Sequence, residues 1–254
     1  MSSLKSVRID DLVEKPYLEA LCYPRPDHDL ALKRIEELER LSVKRIVFEG
    51  KTRIGNLGVV GKGCVSIVVK ALTNSVILAL KIRRTDANRI SMAREAEMHL
   101  MANSVGVGPK LFGATENFIL MEFIEGHSIL DWLKGVKEQR VDRIIKVLQD
   151  LLDQCYSLDG LGLDHGELSD LKKHVIVSES PVIIDFESAS TDRRVANLTK
   201  VTQYLFIGGP FAKDLRRILG IEGEETVIEF IRRYKEEKNL ANYLSLLSNL
   251  RLVR

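Results

Sequence analysis

The sequence His165-Gly166-Glu167-Leu168, followed later by Asp185-Phe186-Glu187, decides the interpretation of this chain. The carboxylates of Glu167 and Asp185 are 18 positions apart, and an apolar Ile183-Ile184 pair leads into the second motif. Two carboxylates in this order suit phosphoryl transfer, in which one orients an attacking hydroxyl group and the other holds a metal ion on the nucleotide phosphates. Neither motif is specific alone, because each also fits an ordinary loop or the end of a buried strand.

A glycine-rich segment lies upstream of these motifs. Gly61-Lys62-Gly63-Cys64-Val65-Ser66-Ile67-Val68 fits the pattern Gly-x-Gly-x-x-Gly-x-Val, with Ser66 where the third glycine usually stands. Because Gly61 and Gly63 have no side chains, the backbone can approach a triphosphate closely. A plain β-turn is the alternative interpretation of the same glycines.

One lysine ends an otherwise apolar stretch. Leu78-Ala79-Leu80-Lys81 closes a run that opens at Val76, and Glu95 follows 14 residues later in a segment with a helical pattern. A lysine on a buried strand needs an anionic partner, since burial otherwise lowers its pKa. We expect Glu95 to be that partner. The alternative is an edge position from which the amine of Lys81 reaches solvent.

Taken in this order, the motifs resemble those of the protein-kinase-like superfamily, and specifically its small atypical branch with the RIO kinases and the kinase of the KEOPS complex. The similarity runs from about Phe48 to about Leu205. The chain most resembles archaeal proteins predicted to be serine/threonine kinases, which also have His-Gly-Glu and Asp-Phe-Glu. The resemblance implies an α+β, two-lobed fold with a five-stranded antiparallel N-lobe at 48–122 and a reduced, mainly helical C-lobe at 123–254. An N-terminal helical extension at 1–47 precedes both lobes.

The resemblance also implies ATP with Mg²⁺ or Mn²⁺ as cofactors. Glu167, Asp185 and Lys81 would be the catalytic residues, with Asp185 as a metal ligand. Phe118 to Gly126 resembles the strand and linker between kinase lobes; a strand that leaves the core through a glycine turn is the alternative. The residues implied to bind the nucleotide are Gly61, Lys62, Gly63, Ser66, Val68, Ala79, Lys81, Glu95, Met121, Glu122, Ile124 and Lys173.

The sequence departs from the kinase pattern around the catalytic loop. Glu167 replaces the expected aspartate, and Lys172 stands where an asparagine ligand is expected. If two residues are inserted, His174 takes that place as a metal ligand, and an imidazole suits Mn²⁺ better than Mg²⁺. A structural hydrogen bond is the alternative role for His174. Asp170 is a second candidate for the base, or a cap of the loop, and Lys172 or Lys173 could neutralise the transferred phosphate.

Hydrophobic periodicity predicts the remaining elements. The extension is expected to contain two helices, the second with Leu32, Ile35, Leu38 and Leu41 on its apolar face, and to act as a brace, a docking module or a short relative of a winged-helix extension. A hairpin should present His174 and Asp185 at its ends. The predicted strands are 54–60, 65–71, 76–82, 110–113, 118–121, 175–177 and 182–184. The predicted helices are 10–21, 29–41, 141–158, 195–206, 211–219, 224–234 and 239–250, with a further helix around Glu95.

Composition favours a cytoplasmic enzyme without a membrane partner. The formal net charge is +2, so nothing in the charge balance indicates nucleic acid or an anionic membrane as a partner. Most of the five scattered basic pairs are expected to lie on solvated surfaces. The three cysteines have no metal-ligand spacing, which favours a reducing compartment. No signal peptide and no apolar run near 18 residues is expected.

Three functions remain open from sequence alone. The first is an ATP-dependent kinase that acts on serine or threonine of a protein substrate, itself included. The second is an ATPase switch or a small-molecule kinase, because the usual activation segment is missing and only 69 residues follow Asp185. The third is a nucleotide-binding pseudokinase that acts as an interaction module, which the exchange of the expected aspartate for Glu167 suggests.

Overall fold

The computed structural model shows an α+β fold with antiparallel sheets, and it describes residues 6–74, 76–135 and 140–253. Residues 1–5 of the predicted extension lie outside the described residues. The chain forms two compact units. The first contains the described residues up to Glu97 together with Lys110–Phe123, and the second contains Met98–Pro109 together with the chain from Ile124 onwards.

The first unit is built on a sheet with the order β1-β2-β6-β7-β9-β8, in which β5 also pairs with β6. A separate hairpin is formed by β3 and β4. Strand β7 lies between β6 and β9, and its residues are buried from Leu78 to Ile82. The strands are β1 Ser6–Arg8, β2 Arg45–Val47, β3 Thr52–Ile54, β4 Leu57–Val59, β5 Gly61–Lys62, β6 Ser66–Leu72, β7 Ile77–Arg83, β8 Leu111–Ala114 and β9 Phe118–Glu122.

The predicted single strand at 54–60 is wrong. The chain turns at Gly55-Asn56, and Ile54 pairs with Leu57 across this two-residue turn. Gly55 has φ +52°, a conformation that two-residue hairpin turns require and that glycine adopts without a steric penalty. The other four strands predicted for this region begin and end within one residue of the expected positions.

The predicted helix at 10–21 is also wrong, because it is two shorter elements. A 3₁₀ helix spans Ile9–Val13, and α1 spans Tyr17–Leu21. Pro16 separates them, since proline cannot donate a backbone hydrogen bond and its ring disfavours helical backbone at the preceding residue. The second predicted helix is confirmed as α2, His28–Arg40, with the side chain of Asp27 accepting from the amide of Leu30.

Helix α2 buries most of the predicted apolar face, since Leu38 is buried and Ile35 and Leu41 pack against the same core. Leu32 is 47% exposed, whereas Ala31, Arg34 and Leu38 are fully buried. The Arg34 guanidinium donates to the carbonyl oxygens of Leu21 and Arg83 and to Oδ1 of Asn117. Its burial lowers the pKa of Arg34.

Glu37 completes this buried polar contact. Its carboxylate accepts from the backbone amide of Asn117 at 2.9 Å and from the Asn117 side chain at 2.6 Å. The extension and the sheet also share one apolar core, which includes Leu12, Leu21 and Leu38 together with Leu80 and Phe118. Residues of the extension are therefore part of the first unit's interior.

The second unit is mainly helical, with one small sheet in the order β10-β11-β12. The predicted hairpin is confirmed as β11 Val175–Val177 and β12 Pro181–Ile183, and β10 is His127–Ser128. The predicted helices of this region are confirmed with shifts of a few residues, and a π-helical turn at Tyr204–Gly208 follows α7. The helices are α3 Ala93–Ser104, in which the boundary between the units falls, α4 Ile129–Gly135, α5 Val141–Leu161, α6 Leu171–His174, α7 Asn197–Gln203, α8 Ala212–Leu219, α9 Glu225–Glu236 and α10 Leu240–Asn249.

Helix α5 forms the centre of the second unit's core. Its buried face includes Val147, Leu148, Leu151 and Leu152, which recur at helical spacing. Gly162 ends the helix in the left-handed conformation, φ +77°. The chain then enters the His165-Gly166-Glu167 loop. Among the described residues, no helix combines the length and apolar character needed to cross a membrane.

Candidate functional site

The His165-Gly166-Glu167 loop is held against the segment after Asp185 by backbone pairing. Asp164 and Ser190 exchange two hydrogen bonds, of 3.0 and 2.9 Å. Gly166 has φ +91°, and a Cβ atom at this position would lie 2.7 Å from the carbonyl oxygen of Ser188. Both the backbone angle and the lack of space therefore require glycine between the histidine and the glutamate.

A single imidazole connects the two motifs. Nε2 of His165 lies 3.0 Å from the carbonyl oxygen of Ile184, and the amide of Glu167 donates to Nδ1 at 3.4 Å. Burial lowers the pKa of His165 to about 4, so the ring is neutral near pH 7. Because Nδ1 accepts, the neutral ring carries its proton on Nε2 and donates it to Ile184. His165 thereby fixes the backbone of Glu167 relative to the residue before Asp185.

Glu167, His174 and Asp185 meet in the second unit. Each offers one ligand atom, and these atoms all lie within 4.8 Å of one another. His174 is the last residue of α6 and is 5% exposed, and its carbonyl oxygen accepts from the amide of Ile184. Asp185 has φ +71°, an uncommon backbone conformation for a residue with a side chain.

The cluster fits a divalent metal ion. In the part of the chain that the structure describes, Oε2 of Glu167 and Nδ1 of His174 are buried and have no hydrogen-bond partner. A buried polar atom without a partner costs about 1–3 kcal/mol, so an interaction that satisfies both atoms is favoured. Carboxylate oxygens and an imidazole nitrogen are donors that divalent metal ions accept.

The Phe186 side chain is buried in the core of the second unit. Its ring lies 5.1 Å from the His99 ring and 5.2 Å from the His165 ring. A Cβ atom at Gly108 would approach the Phe186 ring to 2.7 Å, so only glycine fits there. The aromatic residue of Asp185-Phe186-Glu187 is therefore a packing residue that holds the position of Asp185.

A buried polar network of Asn197, Asp159 and Tyr234 holds the backbone of the loop at His165. This network was not predicted from the sequence. Oδ1 of Asn197 accepts from the amide of His165 at 2.9 Å, and the Asn197 side chain donates to Leu163 and Asp159. The Tyr234 hydroxyl donates to Asp159 at 3.1 Å. Burial raises the pKa of Asp159. The available signal in the sequence was that Asn197 is a polar residue beside apolar neighbours in a helical pattern. This signal does not identify Asp159, 38 residues away, as its partner.

Asp164 adds a second support through charge. It is buried and lies 3.1 Å from both Arg193 Nε and Lys200 Nζ. Arg193 also donates to the carbonyl oxygen of Ser188. Arg193 is 48% exposed, in agreement with the expected solvated surface, and its guanidinium also links Asp164 to Ser188.

Lys173 and Asp170 pair with each other, outside the cluster. Their side chains lie 3.3 Å apart and are 75% and 44% exposed. Asp170 stands at the N-terminus of α6, but its side chain makes no capping hydrogen bond. The alternative role of Asp170 as a cap is therefore wrong.

The structure brings Lys81 and Glu95 together in the first unit. Their side chains form an ion pair of 2.6 Å, and each is 4% exposed. Lys81 belongs to β7, and Glu95 lies in the first turn of α3. The alternative of a lysine that reaches solvent at a sheet edge is wrong, because β7 is an inner strand.

Several residues predicted to bind nucleotide share the sheet face of Lys81. Val68 pairs directly with Lys81, and Ala79 pairs with Met121. Paired residues of antiparallel strands lie on one face, and alternate residues such as Ala79 and Lys81 do so as well. The same strand β6 begins with Ser66, which is buried.

The glycine-rich segment forms a tight turn beside this face. Gly61 pairs with Val68 and Lys62 pairs with Ile67, while the amide of Gly63 donates to the carbonyl oxygen of Ser66. Among the described residues, no atom lies within 4 Å of a Cβ atom built at Gly61. The fold itself therefore leaves room for a side chain at this glycine.

The end of β9 carries the last predicted contacts. The amide of Glu122 donates to the carbonyl oxygen of Lys110, and the Glu122 carboxylate accepts from the amide of Lys110. Phe123 is the last residue of the first unit, and Ile124 belongs to the second unit. The Glu122 side chain is therefore used within the sheet.

Fold and site together define an α+β protein with a buried lysine–glutamate pair in one unit and a histidine–carboxylate cluster in the other. No model of a known protein family matches the chain. An uncharacterized protein of Methanocaldococcus jannaschii, MJ1211, is 33% identical over 118 residues, which make up 46% of this chain and 99% of that protein. The chain belongs to the same family as this archaeal protein. The name of that protein states no activity.

Proposed function

We propose that the chain is an ATP- and metal-dependent phosphotransferase with a protein-kinase-like fold, which phosphorylates serine or threonine residues of proteins, itself included. The observation that carries this proposal is the buried ion pair of Lys81 and Glu95. Burying two charges is costly, and an apolar pair of similar volume is often equally stable. Stability alone therefore does not explain the pair. A role of Glu95 in holding the Lys81 amine in position for an anionic ligand explains it better.

The surroundings of this lysine agree with a nucleotide as that ligand. Protein kinases use such a lysine–glutamate pair to hold the α- and β-phosphates of ATP. Val68, Ala79 and Met121 share the sheet face of Lys81 and would contact the base. Gly61 stands where the fold does not need glycine. Backbone amides without a neighbouring side chain are suited to phosphate oxygens.

The second unit would supply the reacting groups. A divalent metal ion neutralises phosphate charge when it is bound, and Asp185 and His174 would hold it. Glu167 would orient the attacking hydroxyl group and accept its proton, while the hydroxyl oxygen forms a bond to the γ-phosphorus and ADP leaves. Neutral His165 keeps Glu167 in place through the Glu167 amide, so it acts as a positioning residue.

The test is incubation of the purified chain with γ-labelled ATP and either Mg²⁺ or Mn²⁺, with both protein-bound label and free phosphate measured. Lys81→Met and Asp185→Asn should each reduce transfer by at least about 100-fold, since each removes a charge that acts on the phosphates. Lys44→Met and Asp214→Asn, both exposed, are the matched controls and should behave as wild type.

The outcomes separate the three functions. Protein-bound label supports the kinase, and released phosphate without label favours the ATPase. Binding of ATP with neither product favours the pseudokinase. Transfer by Lys81→Met at the wild-type rate would contradict the proposed site.

A further inference from the structure

A role as base does not account for the surroundings of Glu167. A base acts through one carboxylate oxygen, whereas Oε2 of Glu167 is buried, with no hydrogen-bond partner among the residues that the structure describes. A ligand atom of Glu167 also lies within 4.8 Å of those of both His174 and Asp185. Two carboxylates at this distance repel each other unless a cation or a proton intervenes.

His174 points to the kind of cation. Its side chain is buried, and its Nδ1 atom has no hydrogen-bond partner within the described ranges. A buried imidazole normally satisfies both nitrogens, one through a hydrogen bond and the other through a metal or a second hydrogen bond. Mg²⁺ prefers oxygen ligands and binds an imidazole nitrogen poorly, whereas first-row transition-metal ions bind it well.

We propose that Glu167, His174 and Asp185 together bind one transition-metal dication in the absence of nucleotide, with Zn²⁺ held more tightly than Mn²⁺ and Mg²⁺ held weakly. One imidazole and two carboxylates supply three protein ligands, which leaves a position open for water or a phosphate oxygen. The order of affinities follows the general rise from Mn²⁺ to Zn²⁺ at sites that contain nitrogen.

The geometry requires only side-chain movement. Zn²⁺ bonds of about 2.1 Å place neighbouring ligand atoms about 3.4 Å apart in a tetrahedron. The ligand atoms of the cluster are within 4.8 Å of one another, so rotation of the Glu167 and Asp185 carboxylates closes the site. The backbone positions are already set by His165, which bonds to Ile184 and Glu167.

Binding of this kind has a regulatory consequence, which rests on the proposed phosphotransferase function. An ion that takes the Glu167 carboxylate as a ligand removes it as proton acceptor. Zn²⁺ should therefore inhibit transfer that Mg²⁺ or Mn²⁺ supports, and a chelator that removes Zn²⁺ should restore it.

The binding experiment uses the full chain without nucleotide. Zn²⁺ affinity is measured by competition with a chromophoric chelator, and Co²⁺ is added separately to record the visible absorption of a protein-bound ion. We expect one ion per chain. Glu167→Gln and His174→Asn should each weaken binding by more than about tenfold, because the loss of even an outer contact to a metal ligand commonly costs that much. Glu179→Gln and His127→Gln are matched controls on the exposed surface and should bind as wild type.

Circular dichroism of each variant separates lost binding from lost folding, and the Co²⁺ spectrum of the wild type tests the site without any substitution. An absent Co²⁺ band together with no stoichiometric Zn²⁺ binding would overturn the site. Unchanged Zn²⁺ affinity in both folded ligand variants would overturn it as well. Since binding is measured without ATP, a chain that binds Zn²⁺ but transfers no phosphate refutes the proposed function and leaves the metal site standing.

Discussion

Replacement of Gly166 by alanine gives the sharpest test of how the His165-Gly166-Glu167 loop is built. Gly166 has φ +91°, and a residue with a side chain loses about 1–2 kcal/mol in left-handed backbone. The new Cβ atom would also stand 2.7 Å from the Ser188 carbonyl oxygen and 2.6 Å from the Arg193 guanidinium. The Ser188 oxygen belongs to the backbone, so it cannot rotate away as the end of a side chain can. Overpacking of this kind costs a further ~1–3 kcal/mol, and we expect Gly166→Ala to lower the free energy of unfolding by about 2–5 kcal/mol.

Gly160 provides the matched control in the same unit. It lies inside α5, and within the described part of the chain no atom outside its own helix turn comes within 4 Å of where an alanine Cβ would stand. Gly160→Ala should raise the free energy of unfolding by about 0.5–1 kcal/mol, because alanine is the better helix former. The two identical substitutions, six positions apart, should therefore have opposite signs.

Urea unfolding followed by tryptophan fluorescence measures both variants. Trp132 is the single tryptophan of the chain and packs against the core of the second unit, so its emission reports the unit that contains both glycines. If Gly166→Ala unfolds within about 0.5 kcal/mol of wild type, which is typical of a neutral surface change, the steric argument for this loop is refuted.

Three further predictions concern the histidines and the carboxylates. Glu167→Gln should reduce phosphoryl transfer by about 100-fold or more while ATP affinity stays nearly unchanged, because other residues hold the nucleotide. Equal turnover would assign the role of base to Asp170 or to no side chain. His174→Asn should move the preferred activating ion from Mn²⁺ towards Mg²⁺, and an unchanged ratio of the two activities would make His174 structural. The pKa of His165 is lowered from 6.5 to about 4 in the folded chain. Between pH 6.5 and pH 4 the unfolded chain therefore binds a proton on His165 that the folded chain does not bind. The free energy of unfolding consequently decreases as the pH falls through this range. The free energy of unfolding should drop by up to about 3 kcal/mol between pH 7 and pH 4, and a His165→Gln variant that keeps the same slope would contradict this assignment.

Local patterns predicted the elements that depend on local preferences. The β-branched run of β6 and the apolar run of β7 were located within one residue, and the ion pair of Lys81 with Glu95 was anticipated. The hairpin turn at Gly55-Asn56 was missed although its signal was present, since a glycine–asparagine pair between short apolar runs is a known two-residue turn.

Other features could not be read from local sequence because distant partners create them. Arg34 looks like an exposed helical residue until the carbonyl oxygen of Arg83 and the Asn117 side chain surround it. Leu32 was placed on the apolar face of α2 by periodicity alone, and it is 47% exposed although Leu38 of the same face is fully buried. The presence of Glu167 beside His174 and Asp185 likewise depends on tertiary structure, since the motif pattern assigned it a separate role.

The contact of Glu37 with Asn117 has a consequence for how the chain folds during synthesis. The two residues are 80 positions apart, so the ribosome needs roughly 4–16 s to make the asparagine after the glutamate, at 5–20 residues per second. Until then Glu37 lacks both hydrogen bonds from Asn117, and Arg34 has only its acceptors at Leu21 and Arg83. The N-terminal segment thus receives its last buried polar contacts only after Asn117, directly before β9, has been made.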